Sequence, residues 1–81
     1  MDMDTRIQRG FTYRHFKGDI YKIITFAKDC NDPSKTLVVY ISIEHGITWC
    51  REFNEFASQV DKEKYPDVTQ KYRFELITGP L

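Results

Sequence analysis

Residues 36–43 alternate strictly, with Leu37, Val39, Ile41 and Ile43 on one side of an extended chain and Val38, Tyr40 and Ser42 on the other. A period of two is that of a β-strand, and four aliphatics on one side mark that side as the expected core face. Glu44-His45-Gly46 follows, where glycine takes a positive φ at little cost, and residues 47–51 resume as a partner strand with Trp49 expected to face inward. A β-hairpin is therefore fixed early, and the rest of a short chain has to complete a sheet around it.

The remaining segments fit that demand. Residues 20–28 are rich in β-branched and aromatic side chains (Ile20, Tyr21, Ile23, Ile24, Thr25, Phe26), which favours a strand with apolar groups on both faces, expected to be buried on both sides. Residues 29–35 are dense in Asp, Asn, Ser and Pro33 and read as a loop. Phe53, Phe56, Ala57 and Val60 fall at i, i+3, i+4 and i+7, which predicts a short helix or helical turn near residues 52–57, although Phe56, Ser58 and Val60 also fit an alternating strand. Residues 61–71 are charged, contain Pro66 and read as a connection. Tyr72, Phe74 and Leu76 then alternate with Arg73, Glu75 and Ile77 in a closing strand that Gly79-Pro80 ends. The first ten residues are polar without a sustained period and are expected to be a flexible or loosely docked lead-in, with a single ordered domain over residues 11–81. The expected fold class is all-β, mainly strand with one short helix, closed into a small SH3-like barrel or roll whose aromatics form most of the core.

A chain of 81 residues makes one domain and leaves little room for an enclosed cavity, so a ligand site would be a groove or a subunit interface. Lys plus Arg equals Asp plus Glu at 12 each, so no net field draws the protein to nucleic acid or to an anionic membrane. The charge is nonetheless uneven: Arg6, Arg9, Arg14 and Lys17 precede Gly18 without an intervening acid, whereas Glu52, Glu55, Asp61, Glu63 and Asp67 cluster later. Two cysteines, Cys30 and Cys50, give neither a disulfide framework nor a metal-binding or redox Cys-x-x-Cys spacing, and both are expected to be free thiols with Cys50 buried. With no signal-like N-terminus and no apolar run near the length of a membrane span, a cytoplasmic protein is expected.

The string Tyr13-Arg14-His15-Phe16-Lys17-Gly18-x-x-Tyr21, followed by Ile23 and Ala27, Val38-Val39-Tyr40, Trp49-x-Arg51, Phe56 and Arg73-Phe74-x-x-Ile77, resembles the bacterial and phage family known as domain of unknown function 1653. The resemblance covers nearly all of the expected ordered domain, and its motifs are dispersed but in order. It implies a small SH3-like β-barrel and no established activity. Two departures fall in loops or turns: Asp29-Cys30-Asn31-Asp32 stands where the family has His-Ser-Glu-Thr, and Arg51-Glu52 where it has Arg-Pro. Because loops carry function on rigid barrels, these changes bear on what is bound rather than on the fold.

His15 with Asp19, and Glu44 with His45, are carboxylate–imidazole pairs, but no nucleophile elbow, phosphate-cradling glycine loop or metal-ligand spacing accompanies them. No catalytic residue, metal or cofactor is assigned, and His15 is expected to hold the turn ahead of the strand at Ile20. The functional reading is a non-catalytic binder of a small anionic or nucleotide-like ligand. Arg14, His15, Lys17 and Arg51 would supply donors, and Tyr13, Tyr40 and Trp49 a stacking surface. Alternation already sets Arg14 against Tyr13, His15 and Lys17. A homo-oligomer could complete the pocket, and the phage distribution of the resembled family suggests sequestration of a nucleotide-derived signal. A peptide-binding SH3-like module is the alternative, with RNA or single-stranded DNA binding disfavoured by the zero net charge.

Overall fold

The computed structural model describes residues 5–78, so the expected terminator Gly79-Pro80 lies outside the described residues. Five strands, β1 (Thr12–His15), β2 (Ile20–Asp29), β3 (Asp32–Ser42), β4 (Thr48–Glu52) and β5 (Phe74–Thr78), and one helical turn, α1 (Phe53–Phe56), follow in that order. They form one antiparallel sheet in the order β4-β3-β2-β1-β5. Three successive hairpins make a meander, and β5 returns after α1 to lie beside β1, which is the connectivity of an SH3-like roll. The fold is all-β with one short helical turn. Among the described residues no helix is long and apolar enough to cross a membrane.

Local chemistry explains each turn. Between β1 and β2, Gly18 N–H donates to His15 O at 2.8 Å and His15 N–H to Asp19 O at 2.8 Å. This closure needs Gly18 at φ 109°, a region that side-chain-bearing residues avoid. Between β3 and β4, Gly46 at φ 69° donates to Ser42 O and Ser42 N–H to Ile47 O, as the hairpin reading required. The expected loop over residues 29–35 is shorter than its composition suggested. Asp29 pairs with Asp32 across Cys30-Asn31, and β3 already runs through Pro33, which sits where the β2–β3 register shifts and a missing N–H breaks no regular ladder.

The core lies on the side of β3 opposite to the one its aliphatics indicated. Val38, Tyr40 and Ser42 are buried, while Leu37, Val39 and Ile41 are only half-buried and Ile43 is exposed. Aromatic packing decides the matter. Phe56 stacks on Phe74 with ring centroids 3.9 Å apart, and Tyr40 meets both rings edge-on at 5.2 and 5.6 Å. Tyr13, Ile23 and Phe53 complete this cluster from β1, β2 and α1, and Val60 is buried just beyond the helical turn. β2 is not buried on both faces either: Ile23 is in the core, and Ile24, the extra residue at a register shift, is exposed.

The packed domain also begins before Phe11. Ile7 is a core residue, Arg6 lies over the Tyr72 ring at 3.7 Å, and the Tyr13 hydroxyl donates to Arg6 O while accepting from Gln8 N–H. The polar appearance of the first ten residues concealed one apolar anchor.

Candidate functional site

Directly opposed residues in an antiparallel pair share a face, so the register identifies what the inner face presents. Tyr13 pairs with Tyr21, Ile23 with Tyr40, Tyr40 with Trp49 and Val38 with Arg51, while His15 pairs with Phe74. Tyr13, His15, Tyr21, Tyr40, Trp49 and Arg51 therefore lie on one face, and the outer members of this set form its rim. Arg14, paired with Ile20 and Glu75, is exposed on the opposite face and does not join them.

The seven residues singled out from the sequence thus divide. Tyr13 is fully buried with its hydroxyl engaged by Arg6 and Gln8, so its ring is core and offers no stacking surface. Tyr40 is also core, although its hydroxyl accepts from Arg51 Nε at 3.4 Å and so reaches the rim. Trp49 is 50% exposed: it has the inward register expected of it, but β4 is the end of the sheet and none of the described residues closes over the ring. Cys50, expected to be buried, is exposed on the outer face of the same terminal strand, opposite Val39. Lys17 is exposed in the β1–β2 turn beside Phe16 and Tyr65, its ammonium 5.8 and 5.6 Å from the two ring centroids.

His15 is the centre of the arrangement. Its Nδ1 accepts from Lys17 N–H at 3.1 Å, which holds the turn as expected, and its ring contacts Phe16 at 4.4 Å and Phe74 at 4.8 Å. Burial first, and then the charges of Arg51, Lys17 and Arg73, lower its pKa to about 4 against an opposing pull from Asp19. The charges of three cations thus act on the imidazole in one sense, with a single carboxylate acting the other way. Tyr21 adjoins it, hydroxyl donating to Asp19 Oδ2 at 3.4 Å and ring edge-on to Tyr40 at 5.3 Å; burial and then Asp19 raise its pKa.

Arg73, whose charge acts on His15 and whose backbone adjoins the β1–β2 turn, is absent from the sequence-based site set. Its backbone O accepts from Phe16 N–H at 2.9 Å, and its Nε is buried with no hydrogen-bond partner. A buried unmet donor costs about 1–3 kcal/mol. Alternation around Phe74 could have placed Arg73 at the strand start, but only the β1–β5 pairing shows that it neighbours His15. Arg51 is less free, since Nη1 also lies 3.7 Å from Glu55 Oε2 in α1.

A second cluster was hidden by sequence distance. Asp19, Glu44 and His45, from the β1–β2 and β3–β4 turns, bring ligand atoms within 4.8 Å of one another, so the two carboxylate–imidazole pairs seen in sequence partly merge. Such a set has the donor types for a divalent cation, but all three side chains are exposed.

The His15 environment has a consequence for stability. A histidine held below its ordinary 6.5 in the folded state favours folding fully above that pH and progressively less as the pH falls towards about 4, where the unfolded chain takes up the proton first. With a partly exposed ring screened by solvent, the loss should be about 1–2 kcal/mol across that window. Urea midpoints at both ends of the window, for the wild type and His15→Gln, measure it. Equal pH slopes in the two proteins would remove His15 as the cause.

Comparison with known proteins adds the family and nothing more specific. No curated protein and no solved structure matches the chain. A family model described as protein of unknown function (DUF1653) matches residues 11–76, a span that includes all of β1 to β4, α1 and most of β5. The chain belongs to the DUF1653 family.

Proposed function

We propose that this protein binds, without catalysis, a small anionic ligand carrying a planar ring, of the kind a nucleotide provides. The observation that carries this reading is the register that puts His15, Tyr21, Tyr40, Arg51 and exposed Trp49 on one sheet face, with the charges of Arg51, Lys17 and Arg73 all acting on His15. Guanidinium groups recognise phosphate oxygens in a planar, two-pronged manner. An aromatic side chain open on one face offers a base about 1–3 kcal/mol of stacking. His15 adds a donor at Nε2 in its neutral form, since Nδ1 is occupied as an acceptor. Sequestration of a nucleotide-derived signal is the form of function that suits a binder of this size.

The test is calorimetry against linear and cyclic nucleotides. Arg51→Ala should weaken binding by about 10–100-fold, the worth of a charge-assisted hydrogen bond, and Trp49→Ala by a similar factor with little change in melting temperature. Arg14→Ala, on the other face, should bind as the wild type does. Folded protein giving no heat with any member of the panel overturns the nucleotide reading. Binding of acidic peptides instead, with the same Arg51 dependence, would make the protein an interaction module.

A further inference from the structure

We propose that two copies of this chain associate through the free edge of β4, the two strands pairing antiparallel about a two-fold axis at Cys50. β4 ends the sheet, and Thr48, Trp49 and Cys50 are three consecutive exposed residues, so none of the described residues covers the face or the edge there. Ser42 N–H bonds to Ile47 O, and bonded pairs alternate along an antiparallel ladder. Tyr40 and Trp49 therefore bond to each other, and Thr48, Cys50 and Glu52 turn their N–H and C=O groups towards the open edge.

The sequence of β4 is complementary to itself in one register. Cys50 is its central residue, so pairing about Cys50 uses the whole strand, whereas any other centre draws in the Gly46 turn or α1. In that register Trp49 faces Arg51 of the second copy on the inner side, a ring-to-guanidinium pair, and Thr48 faces Glu52. On the outer side the two Cys50 residues meet, continuing the half-buried stripe of Val39 and Ile41, their neighbours on β3.

The opposite edge is less suited. Glu75 of β5 accepts from Lys71 N–H and Tyr72 N–H at 3.2 and 3.5 Å, which folds the preceding chain against that strand. Proteins blunt free edges with charge, proline or covering chain, and the first three residues of β4 carry none of these. Pairing at β4 would also join the two inner-face rims, each copy contributing Arg51 beside the other's Trp49; only this consequence rests on the ligand-binding reading.

Light scattering on a sizing column should give twice the chain mass, and Cys50→Lys, which sets two like charges together at the axis, should give a monomer with unchanged circular dichroism and a melting temperature that no longer rises with protein concentration. Diamide should link the Cys30→Ser protein into a disulfide dimer, because opposed residues lie about 4.5–5.5 Å apart at Cα, within disulfide reach. The Cys50→Ser protein should give no linked species. A wild-type monomer at every concentration, a dimer that survives Cys50→Lys, or one dispersed instead by Leu76→Lys in β5 overturns the pairing. A monomer that still binds nucleotides would sink the pairing alone, and a dimer that binds none would sink the ligand reading alone.

Discussion

Replacing Phe56 with alanine is expected to remove about 3–5 kcal/mol of stability, the range for truncating a buried aromatic ring. A domain of this length has only about 4–12 kcal/mol in total at the usual stability per residue, so the variant should sit at or below the edge of folding. The size of the effect follows from where the ring lies. Phe56 is fully buried, stacks on Phe74 in parallel, and receives the edges of Tyr13 and Tyr40 at 5.7 and 5.2 Å. Three of its neighbours, Tyr13, Tyr40 and Phe74, are rings held on the strands, and such rings cannot easily move to fill the space it leaves. Circular dichroism with urea titration measures the loss, and a midpoint close to that of the wild type would mean that α1 can repack without its ring. Trp49→Ala is the contrasting case: its half-exposed ring lies beyond the cluster, so the same truncation should leave the midpoint nearly unchanged.

That contrast shows what was readable from the sequence. The β3–β4 hairpin, the glycine at its turn, the helical turn at Phe53 and the closing strand all follow from period and turn chemistry, which are local properties. The face of β3 that enters the core is not local. Both of its alternating sets are apolar, and the aliphatic set is the longer, but Tyr40 can reach Phe56 and Phe74 and the aliphatics cannot. Inward register also proved different from burial. Trp49 has the first and lacks the second because β4 has no neighbour on its far side. The rim suffered in the same way: Arg51 and His15 stood out as residue types, whereas Arg73 comes near His15 only because β5 pairs with β1, a contact between opposite ends of the chain. Arg14 stood out for its place in a dense cationic string, and alternation sends it to the other face.

Deleting the first ten residues is expected to destabilise the protein by several kcal/mol rather than to trim a tail. Ile7 is 3% exposed within the main core, and removing an aliphatic of that size from such a site costs about 2–5 kcal/mol. The deletion also takes away Gly10 N–H, which donates to Ile23 O at 2.9 Å, and the Arg6 carbonyl and Gln8 amide that satisfy the hydroxyl of fully buried Tyr13. A hydroxyl stranded in the core adds about 1–3 kcal/mol to the cost. Arg6 ties the segment to the far side of the roll as well, its Nη2 donating to Ala57 O at 3.1 Å, so the lead-in closes the gap between α1 and the rest of the core. Ile7→Ala isolates the packing part from the hydrogen bonds, and Tyr13→Phe in the truncated chain should recover part of the loss by removing the stranded hydroxyl. If the chain starting at Phe11 melts with the full-length protein, the core is complete without Ile7 and the domain begins where the polar composition first suggested. If it melts well below, and Ile7→Ala accounts for most of the difference, a single isoleucine in a polar stretch is what draws the N-terminal segment into the fold.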